Sequence, residues 1–251
     1  MKLNIVPART GLHWIRIGIR TFFRQPLALA GLFFMYMTVV IAIAQVPYVG
    51  IFIGGLVVPA ATLGLMAASE EATKGRFPLP TVLLSAFRAG RQRARAMLTL
   101  GVIYTACSWL ATTIAALATS DPAPGTALDS GTLLALVLHI PIFMMFWHAP
   151  ALVHWHGVSP AKSLFFSLVA CLRNFGAFFV YTIGWLLVFM VVGTFFGIVG
   201  MLIGGSSVAR AIMMPVALLL AAMFSTSIYF TFRDCFLVTE ETPVPKVQEL
   251  S

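Results

Sequence analysis

Six long apolar runs divide this sequence, and none of them contains an Asp, Glu, Lys or Arg residue. Each run has 18 residues or more. At about 1.5 Å per helical residue, that length is enough to cross the roughly 30 Å hydrocarbon core of a bilayer. A soluble domain carries about 25% charged residues, whereas this chain carries 10%. The sequence therefore predicts an all-α polytopic membrane protein, a single membrane domain (residues 1–232) with a polar tail (233–251) and spans at 27–44, 49–69, 97–118, 132–152, 175–200 and 211–232.

The segments between the runs predict three transmembrane hairpins, each preceded by an amphipathic helix at the membrane interface. In residues 8–24, arginines recur on one helical face and apolar side chains on the opposite one. A basic amphipathic helix of this kind suits the anionic inner-leaflet surface, although it can also pack on its own bundle. A second such helix is predicted before the third run. The arginines predicted to contact lipid headgroups are Arg16, Arg20 and Arg24 in the first helix and Arg88, Arg91 and Arg95 in the second.

The third amphipathic helix follows a break in the fourth run. Pro150 interrupts that run because it removes a backbone donor. Ser159 and Pro160 then suit the N-cap and the first helical position. The period predicts one face with Leu164, Leu168 and Leu172 and another with Ser163, Ser167 and Asn174. This pattern indicates a helix that lies at the interface and does not cross the membrane.

Histidine is the only candidate for site chemistry, and four of the five histidines lie in or just after the fourth run. His139 and His148 are nine residues apart, which is too far for one helical site. His154 and His156 are spaced i, i+2, so they point apart on a helix. We interpret them as interfacial groups and expect no metal and no cofactor. A metal or haem site, with further ligands such as His13 or Cys171, is the alternative. The candidate cavity or ligand corner comprises His139, His148, His154, His156, Trp147 and Trp155.

The charge distribution predicts the orientation of the chain. The net charge is +8, and every Lys and Arg except Arg210 falls on one side of the six predicted spans. The positive-inside rule makes that side the cytoplasm, so both termini are predicted to be cytoplasmic. Because these charges flank apolar runs, we expect no nucleic-acid binding.

Sequence signatures of catalysis are missing from the chain. There is no HExxH, GxSxG or P-loop motif. Charged residues inside a membrane usually mark ion or proton pathways, and no predicted span contains one. We therefore expect no enzymatic activity.

Three stretches of the sequence carry a family resemblance: ARTGLHWIRIGIRTFFRQPLALAGL near the N-terminus, the corner FWHAPALVHWHGVSPAKSLFFS, and CLRNFGAFFVYTIGW after it. Together they resemble a family of six-helix inner-membrane proteins from proteobacteria, over nearly the whole chain. The layout is also similar to the membrane domain of some glycerophosphodiester phosphodiesterases, whose catalytic domain has no counterpart here. The family resemblance implies a bacterial inner-membrane location and the six-helix fold. It brings no established activity, so no catalytic residue is carried over.

Two functions remain open at this point. The first is a non-enzymatic inner-membrane protein that organises anionic lipid or a partner protein through its cytoplasmic interfacial helices. The second is a transporter or channel for a small or lipophilic solute, with the Pro-broken fourth helix as part of a cavity. An apolar-lined tunnel open to one leaflet, or a polar cavity around His139 and His148, favours the second, and a solid bundle with no cavity favours the first. Glycine pairs such as Gly193 and Gly197 allow a homo-oligomer or a membrane-protein partner, although packing within one chain is the commoner use.

Overall fold

The structure is a computed structural model that describes residues 2–47, 49–119 and 130–237. Helices make up most of these ranges. They are α1 (Thr10–Arg24), α2 (Pro26–Ala44), α3 (Gly50–Thr73), a 3₁₀ helix (Pro80–Leu84), α4 (Ser85–Arg88), α5 (Arg91–Ala118), α6 (Ser130–Phe146), α7 (Ala149–His156), α8 (Pro160–Arg173) and α9 (Phe175–Cys235). Two short strands, β1 (Lys2–Leu3) and β2 (Phe236–Leu237), pair antiparallel, so the two ends of the described chain meet.

The helices confirm the predicted class of all-α membrane protein. Five helical segments of the described chain are long and apolar enough to cross a membrane: Pro26–Ala44, Phe52–Thr73, Arg91–Ala118, Ser130–His156 and Phe175–Cys235. They overlap all six predicted runs. The count is five because the fifth and sixth runs are joined in α9, which has 61 residues.

The helix α9 folds back on itself at Gly204 and Gly205, which have non-helical backbone angles. Gly205 has a φ of 72°, a conformation that glycine adopts without steric strain. The two parts of α9 then run side by side. The Tyr181 hydroxyl lies 2.6 Å from that of Ser227, and a methyl group at Gly200 would lie 2.5 Å from the Cα of Ala209. Residue numbers rise along one part as they fall along the other, so the two parts are antiparallel.

The first amphipathic helix, α1, packs against the C-terminal part of α9. Trp14 donates its indole N–H to Asp234 at 3.0 Å. Gly18 faces the backbone of Ser227 so closely that a Cβ there would lie 2.8 Å from the Ser227 Cα. Further along α1, Phe22 belongs to the same apolar cluster as Ala222 of α9. The contacts therefore progress along both helices in opposite directions, and α1 follows the axis of α9 with its arginines facing outward.

The prediction of one continuous helix before the third span is wrong. Arg88 ends α4, whereas Arg91 and Arg95 belong to α5, so the three arginines do not share a helix face. Gly90, between the two helices, has a φ of 99°. This left-handed conformation turns the chain sharply between α4 and α5.

The two predicted faces of α8 have different surroundings, and it is the polar face that meets the protein. Ser163, Ser167 and Asn174 are buried in the protein, while Leu172 is 56% exposed. The small polar side chains allow α8 to approach α6, and the Ser167 hydroxyl donates to the Met144 carbonyl at 2.7 Å. In a membrane protein the apolar side chains gain nothing by turning inward, since lipid is as apolar as the core, and small polar residues make the helix contacts.

The fourth run and the tail also differ in detail from their predicted bounds. The break in the fourth run lies at Trp147 and His148, between α6 and α7, while α6 continues through Pro141. Residues 233–237, assigned to the polar tail, belong to the end of α9 and to β2, and Phe236 is buried. The rest of the predicted tail lies outside the described residues.

Candidate functional site

The six arginines predicted to contact headgroups are all exposed, and none of them makes an ion pair within the described ranges. The acidic side chains of those ranges have other partners. Glu70 binds Lys74 at 2.6 Å, Glu71 binds Arg76 at 2.7 Å, and Asp234 binds Arg233 at 2.8 Å. The guanidinium groups of the six arginines therefore have no described carboxylate beside them and can meet an anion from outside.

His148 is a core residue and not an interfacial one. Its side chain is completely buried, against the rings of Phe178, Phe232 and Phe236 at centroid distances of 5.7, 6.1 and 5.4 Å. The Nε2 atom lies 3.3 Å from the Thr231 hydroxyl. The Nδ1 atom has no hydrogen-bond partner among the described residues. The structure thus surrounds His148 with aromatic rings instead of a polar cavity.

Among the other members of the predicted corner, Trp147 shares the Thr231 hydroxyl with His148, and Trp155 and His156 share the Phe232 ring with it. His139 contacts the Ala135 carbonyl of its own helix through Nδ1 at 2.7 Å. The Trp147 indole donates to the Thr231 hydroxyl at 3.0 Å, and Trp155 stacks on Phe232 with centroids 5.2 Å apart. His154 lies beside a polar pocket, and His156 lies against Phe232. No group of three His, Cys, Asp or Glu side chains that could hold a metal occurs in the described part of the chain.

The polar pocket beside His154 has a volume of about 420 Å³ and opens between α3, α4 and α7. Its polar lining comes from Glu71, Thr81, Ser85, Arg88 and His154. Arg88 and Glu71 therefore line one space, yet they make no ion pair, because Glu71 binds Arg76 instead. The pocket joins one of the predicted headgroup arginines to one histidine of the predicted corner.

Asn174 is a structural residue that sequence reasoning assigned to a polar helix face. Its Oδ1 accepts the backbone N–H of Val6 at 2.8 Å. Its Nδ2 donates to the carbonyl oxygens of Asn4 and Ala170, both at 3.1 Å. Asn174 therefore joins the N-terminal segment to the junction of α8 and α9. An asparagine directly after an apolar helix and before a long span is the signal that could have indicated it.

Cys171 provides a test of the buried face of α8. Burial raises the pKa of its thiol to about 12, so the thiol stays protonated at neutral pH and is a poor nucleophile. We expect a maleimide at pH 7.5 to leave Cys171 unlabelled in the folded protein and to label it after denaturation. The variant R173C is the control, because Arg173 is exposed on the same helix. Rapid labelling of Cys171 in the folded protein would contradict the burial of this face.

Comparison with known proteins agrees with the class that the helices define, an all-α integral membrane protein. The chain is 37% identical, over 271 aligned residues, to a protein of Burkholderia thailandensis described as a "probable inner membrane protein", with 100% of this chain and 99% of the relative covered. The chain belongs to the same family of inner-membrane proteins. No family model matches the chain, and no solved structure matches it. The similarity to glycerophosphodiester phosphodiesterases gains no support from these comparisons.

Proposed function

We propose that this protein spans the inner membrane six times with both termini in the cytoplasm. Two observations support this topology. The antiparallel halves of α9 supply two spans in place of one. The pairing of β1 with β2 also supports it, because two chain ends that pair with each other are expected on the same side of a membrane, after an even number of crossings. The positive-inside rule assigns that side to the cytoplasm, since it carries all basic residues except Arg210.

The function that the structure supports best is non-enzymatic: the protein organises anionic lipid around its cytoplasmic rim. The observation that carries this proposal is the set of six exposed arginines without a described carboxylate partner. Each basic residue near an anionic leaflet contributes about 1 kcal/mol, an effect that falls off within a Debye length. Six such residues together give several kcal/mol of preference for anionic headgroups. The six arginines lie on α1, which packs against α9, on α4 and at the start of α5.

The test replaces all six arginines with glutamine and measures the lipid that copurifies with the protein. We expect the anionic lipid per protein to fall by more than half, because six exposed positive charges without a described carboxylate partner are removed. The control replaces Lys74, Arg76 and Arg233, whose charges are already neutralised by Glu70, Glu71 and Asp234. Per charge removed, the control is expected to lose much less lipid.

Topology must be measured alongside, because the six substitutions weaken the positive-inside bias. A reporter fused after Ser251 supplies this check. A correctly oriented variant that retains the anionic lipid of the wild type would overturn the proposal.

The alternative, a transporter or channel built on the broken fourth helix, rests on one observation. An apolar groove of about 360 Å³ lies beside the break and is lined by Trp147 of the break and by residues of α6, α8 and α9, including Phe178. The enclosure of His148 by aromatic rings favours the lipid-organising function over this one.

A further inference from the structure

We propose that the pocket between α3, α4 and α7 binds the headgroup of a zwitterionic phospholipid whose cation can donate hydrogen bonds, as in phosphatidylethanolamine. This inference deepens the proposed lipid function and rests on it. It adds a defined site, in which one lipid is held by specific side chains, to a rim that attracts anionic lipid through charge alone.

The phosphate would lie on the Arg88 side of the pocket. Arg88 is exposed and has no described carboxylate partner, and the hydroxyl groups of Thr81 and Ser85 line the same space. The Ser85 hydroxyl donates its proton to the Val82 carbonyl at 2.5 Å. The Thr81 hydroxyl is therefore the one of the two that can donate to the phosphate. The Nδ1 atom of His154 is buried and has no partner among the described residues. A guanidinium with nearby hydroxyl and imidazole groups is a suitable set for a phosphodiester.

The ammonium would lie on the Glu71 side. Arg76 binds the Glu71 carboxylate through two nitrogen atoms, which uses two of its roughly four lone-pair sites. The remaining sites can accept hydrogen bonds from a primary ammonium but not from the trimethylammonium of phosphatidylcholine. A cation and a carboxylate that line one pocket without pairing match the two opposite charges of the headgroup.

The apolar groove next to the pocket favours a lipid over a soluble phosphate as its ligand. The segment that carries Thr81, Ser85 and Arg88 has a second face, formed by Pro80, Leu83, Leu84 and Phe87. That second face lines an apolar groove of about 280 Å³ against α2 and α3, with Tyr36 and Val57 in its walls. One short segment thus faces a polar space on one side and an apolar space on the other, which is the arrangement expected at headgroup level.

The experiment titrates the purified full-length protein with phosphatidylethanolamine, phosphatidylglycerol and phosphatidylcholine of equal chain length and counts bound lipids by native mass spectrometry. We expect phosphatidylethanolamine to bind first. The variant R88Q is expected to bind every lipid at this site about tenfold more weakly, because a charge-assisted hydrogen bond is lost. The matched control R91Q removes the same charge from an exposed arginine that does not line the pocket.

A second pair of variants tests the ammonium contact. E71Q is expected to weaken the binding of phosphatidylethanolamine about tenfold and to leave the binding of phosphatidylglycerol unchanged. Glu70 does not line the pocket, so E70Q should leave the binding of both lipids unchanged. Thermal unfolding of each variant verifies its fold. Equal lipid binding by R88Q and R91Q would overturn the proposed site. Equal loss of phosphatidylethanolamine and phosphatidylglycerol binding in E71Q would overturn its preference for a zwitterionic headgroup. Displacement of the bound lipid by inorganic phosphate would assign the site to a soluble anion.

The two proposals fail in different ways. If the six-glutamine variant keeps its anionic lipid while R88Q loses its single bound phosphatidylethanolamine, the proposal for the six arginines is wrong and the proposal for the pocket stands. If R88Q binds lipid as R91Q does while the six-glutamine variant loses its anionic lipid, the proposal for the pocket is wrong and the proposal for the six arginines stands.

Discussion

Replacing Gly18 with leucine is expected to detach α1 from α9 and to lower the thermal unfolding midpoint by about 10 °C. A side chain at this position meets backbone atoms, since even a Cβ would lie 2.8 Å from the Cα and 3.3 Å from the backbone nitrogen of Ser227. No change of rotamer relieves such a contact, and overpacking a tight interface costs roughly 3 kcal/mol, which corresponds to about 10 °C for a chain of this size. Trp14, fully buried against α9, would lose its packing as well.

The control for this prediction is Gly31 to leucine in the adjacent helix α2. A Cβ at Gly31 meets nothing within 4 Å, so the same substitution is expected to leave the unfolding midpoint nearly unchanged. Limited proteolysis should cut α1 faster in the Gly18 variant than in the Gly31 variant. Equal midpoints and equal cleavage in the two variants would show that α1 does not depend on the close approach at Gly18.

The spans could be predicted from the sequence because transfer into lipid depends on the local run of side chains and on little else. Each of the six apolar runs overlaps a helix of the structure, although the fourth run contains the break at Trp147 and His148. The turn at Gly204 and Gly205 was also predictable, because adjacent glycines in a long apolar stretch interrupt a helix and allow a reversal. These features rest on neighbouring residues alone.

The surroundings of α8 and the division of the helix before the third run depended on information that periodicity does not contain. The periodic pattern divides α8 into two faces, yet it does not say which one meets protein, since lipid and the protein interior are both apolar. The charge pattern before the third run suits one helix, but Gly90 with its φ of 99° divides it. A glycine next to a basic helix start is compatible with either outcome.

The packing of α1 against α9 was not predicted, because the glycines that allow it have a different spacing. The glycine pairs singled out in the sequence were spaced four apart, as in transmembrane helix pairs. Gly11 and Gly18 are seven residues apart, and both lie against α9. A spacing of seven also places two residues on one face of a helix, so this pair could have been found in the predicted amphipathic helix.

Replacing Asn174 with alanine is expected to lower the free energy of unfolding by about 3 kcal/mol, because it removes several hydrogen bonds from a buried position. Asn174 is only 2% exposed, and its amide is the single side chain that bonds the backbone of Val6 and of Asn4 in the described structure. Without it the N-terminal segment keeps its pairing with the end of α9, in which the Asn4 N–H donates to the Cys235 carbonyl at 2.8 Å. The exposed neighbour Arg173, changed to alanine, is the control and should shift stability by less than about 0.5 kcal/mol.

A double-mutant cycle identifies the N-terminal segment as the partner of Asn174. Deletion of residues 2–6 removes the Val6 N–H and the Asn4 carbonyl, so Asn174 then retains its bond to the Ala170 carbonyl and its weaker contact with the Cys235 sulfur at 3.6 Å. Residues that share hydrogen bonds have non-additive effects. We therefore expect the alanine substitution to cost at least about 1 kcal/mol less in the deleted chain than in the full one. Additive effects would mean that Asn174 stabilises the start of α9 alone, and that the N-terminus is held there by β1 and α1 without its help.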